Sequence, residues 1–199
     1  MRNTNLGIVT VLTGPMRSGK TLELIIRALD VKWAEGSVVL FHYGDSSRES
    51  NNKLECRFSD PNSTADQPFA LSLPSIPVPR NSTVINDLLP PNVDLVIIDE
   101  AQFFGMDIIE VVKGLRLRGV DVIVSGLDMD SFQQPFGPMP YLMAIADTVI
   151  KKTAVCYDCK EDAQTTFRLV DNTEQELVGD KEYITLCYGC YNFRVSTKD

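Results

Sequence analysis

Three groups of residues have the types and spacing to do chemistry. The first is Gly14-Pro15-Met16-Arg17-Ser18-Gly19-Lys20-Thr21, which fits glycine, four residues, then glycine, lysine and a hydroxyl residue. Glycines at both ends let the backbone curl so that successive amide hydrogens converge on a polyphosphate. Lys20 then reaches the β- and γ-phosphates, and the Thr21 hydroxyl holds Mg2+. The second group is Asp99-Glu100, two carboxylates directly after the apolar run Leu95-Val96-Ile97-Ile98. An Asp at the carboxyl end of a strand neighbouring a phosphate loop orients Mg2+ through its water shell. Glu100 projects differently and can take a proton from an attacking hydroxyl. The third group is Cys156/Cys159 and Cys187/Cys190, two pairs with two residues between partners. Four thiolates on two tight turns make a closed tetrahedral zinc site, structural because no coordination position stays open.

These groups need elements that position them. Leu6 to Leu12 is β-branched and apolar enough for a buried parallel strand, and Thr21 to Leu29 repeats its apolar residues with helical spacing. The phosphate loop therefore falls at a strand-to-helix turn, where the helix adds its partial positive end. The helix should end near Glu35-Gly36, and Ser37 to Tyr43 reads as a second buried strand, completing a βαβ unit. Val93 to Ile98 carries the carboxylates on a third. An amphipathic helix over Met106 to Arg118, a strand over Val120 to Leu127, a loop from Asp128 to Gly137, a short helix over Leu142 to Ala146 and a last strand over Thr148 to Val155 follow. The pattern predicts an α/β fold with a mainly parallel sheet. From Cys156 onward the knuckles flank a polar hairpin, Thr165 to Val170 being one strand, in a unit too small to hold its own core without metal.

Residues 44 to 80 carry Pro61, Pro68, Pro74, Pro77 and Pro79 and show no sustained period, so much of this stretch reads as irregular loop, either covering substrate or disordered. His42, the only histidine, lies inside a strand run and reads as a packed or hydrogen-bonded imidazole. Cys56 is a lone thiol with no paired histidine nearby in the sequence.

Composition excludes several classes. At 199 residues with 44% hydrophobic content, the chain fits one ordinary domain plus a small appendage. No apolar run approaches the roughly 20 residues that span a bilayer, and Met1 to Asn5 lead directly into a core strand, so a cytoplasmic protein without membrane partners is expected. Lys and Arg number 19 against 27 Asp and Glu, a net charge of -8 that disfavours polymeric nucleic acid. A nucleic-acid ATPase would also want a second RecA-like lobe and a basic stripe, and this length and charge supply neither.

The phosphate loop reading Gly-Pro-Met-x-Ser-Gly-Lys-Thr, then Asp99-Glu100-Ala101-Gln102-Phe103-Phe104, Gly126-Leu127-Asp128-x-Asp130 with Pro135-Phe136-Gly137, and Ala154-Val155-Cys156-x-x-Cys159 with a final Cys187-x-x-Cys190-Tyr191, closely resembles the zinc-containing class of thymidine kinases. The resemblance covers nearly the whole chain except residues 44 to 80. It implies a RecA-like phosphate-loop kinase domain over residues 1–154 and a zinc-binding lasso domain over 155–199, assembled as a homotetramer. It also implies transfer of the γ-phosphoryl of ATP to the 5′-hydroxyl of a deoxynucleoside. By resemblance, Glu100 is the catalytic base, and Thr21 with Asp99 manages Mg2+. Gly14, Pro15, Met16, Arg17, Ser18, Gly19, Lys20 and Thr21 bind ATP together with Asp99 and Gln102. Met16, Gln102, Phe103, Leu127, Thr166 and Tyr183 lie at the nucleoside, and Cys156, Cys159, Cys187 and Cys190 hold structural zinc.

Four departures lie on the substrate side. Arg17 stands where the family usually has Phe. The family's Asp-x-Arg element becomes Asp45-Ser46-Ser47-Arg48, one residue longer. Ser131 replaces a Phe, with Phe132 displaced by one, and Leu177-Val178-Gly179 replaces Ile-Gly-Gly on the approach to Tyr183. Two readings follow: a thymidine kinase, or a divergent nucleotide-binding relative with another nucleoside acceptor or none.

Overall fold

The computed structural model of the chain describes residues 6–44, 52–58, 69–170 and 182–197. Valine, leucine and threonine in Val9–Thr13 (β1) form the strand that feeds the phosphate loop, and Lys20–Trp33 (α1) leaves it. Val38–Tyr43 (β2), Lys53–Phe58 (β3), Phe69–Pro74 (β4) and Ile76–Val78 (β5) follow, then the single helical turn Ile85–Leu88 (α2). Leu95–Asp99 (β6), Ile108–Leu117 (α3), Asp121–Gly126 (β7), Met139–Ile145 (α4) and Thr148–Lys151 (β8) complete the larger unit.

Six strands make one sheet in the order β5-β2-β6-β7-β1-β8, and every neighbouring pair is parallel. One strand therefore separates the phosphate-loop strand from the carboxylate strand, and all their carboxyl ends open on the same edge. Alternate residues of each strand feed opposite faces. Leu12, Leu40 and Ile97 pack with Leu24, Ile25 and Ala28 of α1, whereas Val11, Phe41 and Ile98 pack with Ile108, Val112 and Leu115 of α3. A fully buried side chain of this size contributes about 1.5–3 kcal/mol, so both layers hold the strand ends in place.

The expectation of irregular loop between 44 and 80 is corrected. β3 and β4 pair antiparallel from Lys53↔Pro74 to Phe58↔Phe69, and β5 adds to the sheet edge beside β2. Leu54, Cys56, Leu71 and Leu73, at alternate positions, cover α1. Proline misled the reading: Pro74 closes β4, and Pro77 sits in a strand at the sheet's edge, where a missing amide hydrogen is tolerated. The Asp45-Ser46-Ser47-Arg48 element lies outside the described residues.

The strand expected over Thr148 to Val155 is split. β8 ends at Lys151, and Ala154–Val155 (β9) leaves the sheet to pair with Asp162–Ala163 (β10). Thr165–Arg168 (β11) and Tyr183–Leu186 (β12) form the expected hairpin, and Tyr188–Ser196 (α5) carries the last cysteine. Ala154, Ala163, Phe167, Ile184 and Leu186 gather beside the cysteines in a core of their own.

Candidate active site and metal centre

Gly14 has φ 135°, and a Cβ there would lie 2.2 Å from the Lys152 carbonyl oxygen, so only glycine fits. Gly19 caps α1 in the left-handed region at φ 76° and offers no side chain to the helix amides, which stay aimed along the loop. Lys20 Nζ donates to the carbonyls of Gly14 at 2.9 Å and Pro15 at 2.7 Å, inside the curl. Burial pushes this ammonium below its ordinary value, opposed by Glu100 first and then Asp99 and Asp128. Lys20 thus faces the same cleft as the carboxylates from the end of β6.

Those carboxylates diverge because the chain turns between them. Asp99 continues β6, is buried, and its Oδ2 accepts the Thr21 hydroxyl at 3.3 Å, while its Oδ1 accepts the Glu100 amide at 2.9 Å. Burial pushes the Asp99 carboxyl up, and the Glu100 amide and Lys20 work against that shift. Glu100 itself adopts φ 56° and ψ 39°, the left-handed conformation, and starts the short 3-10 turn Ala101–Phe103. That turn brings Gln102 back beside it. Gln102 is 1% exposed, its Oε1 accepts the Leu127 amide at 3.0 Å, and its Nε2 donates to Glu100 Oε2 at 2.5 Å.

The small unit closes over this cleft. Met16 N–H donates to Thr166 Oγ1 at 3.1 Å, tying the phosphate loop to β11. Buried Arg168 donates to the Tyr183 hydroxyl at 3.0 Å and lies over the rings of Tyr183 and Phe132, each 5.4 Å away. Phe103 packs against Tyr43 and Phe136 at ring separations of 5.3 and 5.6 Å. Met16 with Thr166 thus joins the loop to the hairpin, and Gln102 with Leu127 joins the 3-10 turn to the end of β7.

The four cysteine sulfurs lie within 4.8 Å of one another. Tetrahedral zinc with bonds of about 2.3 Å sets sulfurs about 3.8 Å apart. The 3.7 Å between Cys159 Sγ and Cys187 Sγ fits that geometry. Burial disfavours the Cys156 thiolate, yet the amides of Cys159, Cys187 and Asp158 outweigh it and hold the thiol at about 6. Such a donor set suits a structural metal.

The thymidine kinase family model matches residues 7–191. The chain is 39% identical over 186 residues to a thymidine kinase of Porphyromonas gingivalis, covering 93% of this chain and 85% of that protein. It is 36% identical over 197 residues to one from Mycoplasma mobile, covering 93% and 87%. A third thymidine kinase, from Mesomycoplasma hyopneumoniae, is 37% identical over 188 residues, covering 94% and 96%. The chain belongs to the thymidine kinase family.

In this thymidine kinase family member, hydrogen bonds link several of the residues named from sequence: Thr21 to Asp99, Asp99 to Glu100, Glu100 to Gln102, Gln102 to Leu127, and Met16 to Thr166. Phe103 packs against Tyr43 and Phe136, Tyr183 meets Arg168 on the hairpin, and the four cysteines form a cluster of their own. Gln102, read from sequence as an ATP and nucleoside contact, spends both ends of its amide on Glu100 and Leu127. Sequence reasoning missed two supports. Arg168 is one, and Asp128 is the other, paired with Lys151 Nζ at 2.6 Å and with the Thr13 hydroxyl at 3.1 Å. The Gly-Leu-Asp-x-Asp pattern contains Asp128, whereas nothing local points to Arg168, because β11 is buried at all four positions. His42 is half-buried with its Nδ1 2.7 Å from Ser75 Oγ, the packed role expected of it. Burial pushes the Cys56 thiol up, consistent with an inert side chain. Ser131 is buried, Phe132 stacks on Arg168, and Leu177-Val178-Gly179 lies outside the described residues.

Proposed function

We propose that the protein transfers the γ-phosphoryl group of ATP to the 5′-hydroxyl of thymidine, giving ADP and thymidine 5′-monophosphate. The observation that carries this reading is the junction of the phosphate loop with the carboxylate strand end, where the Thr21 hydroxyl donates to Asp99 Oδ2 at 3.3 Å and Asp99 Oδ1 accepts the Glu100 amide at 2.9 Å. Backbone N–H groups from Arg17 to Thr21 and the Lys20 ammonium hold the phosphates, so negative charge spreading over the transferred group meets donors already in place. Thr21 Oγ1 and Asp99 Oδ2, 3.3 Å apart, are the oxygens that would hold Mg2+, which supplies charge neutralisation between the outer phosphates.

Glu100 accepts the proton of the 5′-hydroxyl as its oxygen attacks phosphorus, and Gln102 fixes the accepting oxygen. Met16, Phe103, Leu127, Thr166 and Tyr183 enclose the nucleoside, with Gln102 beneath it. The hairpin over the loop keeps water from competing for the phosphoryl group. The separate core beside the cysteines supports a division into kinase and lasso domains, with Ala154 and the rest of β9 on the lasso side rather than a cut between 154 and 155. Ile26, Leu29 and Trp33 share one exposed face of α1, Trp33 being 91% exposed, which suits assembly as a homotetramer. No helix among the described residues is long and apolar enough to cross a membrane. Five free thiols suit a reducing cytoplasm.

The test is Glu100→Gln assayed with labelled ATP against a panel of deoxynucleosides. Phosphorylation of thymidine by the unaltered chain, lost in the variant with ATP still bound, is the expected result. Turnover retained by Glu100→Gln removes the base assignment, and preference for a purine nucleoside overturns the substrate.

A further inference from the structure

Lys152 is a second ammonium at the phosphate loop to which the family pattern gives no task. Its amide donates to the Thr13 carbonyl at 2.7 Å, and its own carbonyl crowds Gly14. A Cβ placed on Gly19 would lie 4.0 Å from the Lys152 Cε, so the side chain runs along the mouth of the loop. Lys151, one residue earlier, turns the other way to Asp128. Only Lys152 is on the α1 side.

The sheet order says which part of a nucleotide would meet it. β1 stands between β7 and β8, and the carboxylates come from β6, beyond β7. The reacting phosphate must face Glu100, so the remainder of the triphosphate leaves towards β8, where Lys152 waits. Its Nζ is 3.4 Å from Glu23 Oε2, a long pairing, and the other Glu23 oxygen already takes Arg27 Nε at 3.0 Å. Two cations share one carboxylate in the first turns of α1, leaving one positive charge in excess. With its side chain 27% exposed and four methylenes of reach, Lys152 can exchange Glu23 for a stronger anion. Lys152 also lowers the proton affinity of Lys20, a sign that the two ammoniums sense each other across the loop.

We propose that Lys152 binds the α-phosphate of the donor nucleotide, so that two lysines hold the polyphosphate from opposite ends. Lys20 takes the end that reacts and Lys152 the end that stays with the nucleoside. Glu23 competes with the phosphate for the Lys152 ammonium and yields it when the nucleotide binds. This rests on ATP being the donor.

The experiment measures steady-state constants and calorimetric ADP binding for the full chain and for Lys152→Met, Lys152→Arg and Glu23→Gln. Loss of one charge-assisted contact at a partly exposed position should raise KM for ATP and Kd for ADP about tenfold in Lys152→Met. KM for thymidine and kcat should stay within about twofold, and Lys152→Arg should recover most of the loss. Glu23→Gln separates a ligand contact from a structural prop. If Lys152 served only to brace α1 through Glu23, both variants would weaken ADP alike, which would overturn the proposal; a contact predicts ADP binding at least as tight as in the unaltered chain. Unchanged ADP affinity in Lys152→Met would also overturn it. If the unaltered chain binds ADP but phosphorylates no nucleoside, the kinase reading falls while ADP binding still decides Lys152. No ADP binding at all overturns both.

Discussion

Replacing Gln102 by Met asks whether the base is held or merely present. The Leu127 amide can only donate, so it fixes Gln102 Oε1 towards itself at 3.0 Å and leaves Nε2 to face Glu100 at 2.5 Å. Methionine keeps the length and volume of a side chain that is 1% exposed, so the cavity stays filled while both hydrogen bonds vanish. A hydrogen bond to a charged group is worth about 1.5–3 kcal/mol. If that energy serves to place the carboxylate against the 5′-hydroxyl, kcat falls about 10- to 150-fold. KM for ATP should not move, because the phosphate loop is untouched. The half-buried Leu127 amide loses its partner, so urea unfolding should show a separate loss of about 0.5–1.5 kcal/mol. Steady-state kinetics beside urea melts therefore give two independent numbers. An unchanged kcat with reduced stability would refute the positioning role. A rise confined to KM for thymidine would instead return Gln102 to the nucleoside contact that its place in Asp-Glu-Ala-Gln suggests.

Three further outcomes follow from the same geometry. Burial raises the Asp99 carboxyl above its ordinary 3.8, so the folded protein binds more protons there than the unfolded chain, and the charge weakens the fold at every pH above that value. Asp99→Asn should raise Tm by a few degrees in calorimetry while Mg2+-dependent turnover collapses. His42 is pushed below its ordinary value by burial, against the pull of Glu100, so the unfolded chain takes up this proton first as pH falls. Stability should decline below about pH 6.5, and urea midpoints of His42→Gln should lose that part of the slope. Zinc removal by a chelator should melt the small unit and weaken thymidine binding, since Thr166 and Tyr183 ride on it. ATP binding should suffer less, because the phosphate loop is anchored in the six-stranded sheet; equal loss of both ligands would mean that the two units share one fold.

What the sequence disclosed depended on how local each signal is. The phosphate loop, the Asp99-Glu100 strand end and the cysteine pairs are set by residues within one turn or strand; the structure joins the first two through Thr21 and Asp99 and gathers the cysteines in a cluster of their own. β3 and β4 were hidden because each buries only alternate residues, Leu54 and Cys56 against Leu71 and Leu73, and proline-rich flanks masked that short period. The break after Lys151 was hidden too, since Lys151-Lys152-Thr153 contains no glycine or proline to mark where the sheet stops. Arg168 carried no mark of its own within the strand expected over Thr165 to Val170. Its burial arises from Tyr183 and Phe132, which are 15 and 36 positions away in the chain, and no window of sequence carries that information.

The turn at Glu100 explains why the two acidic neighbours do not duplicate each other. Had β6 continued straight, residue 100 would have pointed to the opposite face of the sheet, into the layer packed by α3. A left-handed residue costs roughly 1–2 kcal/mol outside glycine, yet φ 56° here redirects the chain into the 3-10 turn that returns Gln102 to the carboxylate. Glycine would relieve that strain and carry no base; an unstrained glutamate would carry the base to the wrong side. Because the Gln102 hydrogen bonds form only in the strained arrangement, they offset much of its cost, which links catalytic geometry to local stability at one residue. Asp99, still within the strand, remains on the α1 side with Thr21, where a metal would sit. On the proposed mechanism, one non-glycine residue in a glycine-like conformation would thus separate metal handling from proton transfer between adjacent positions in the chain.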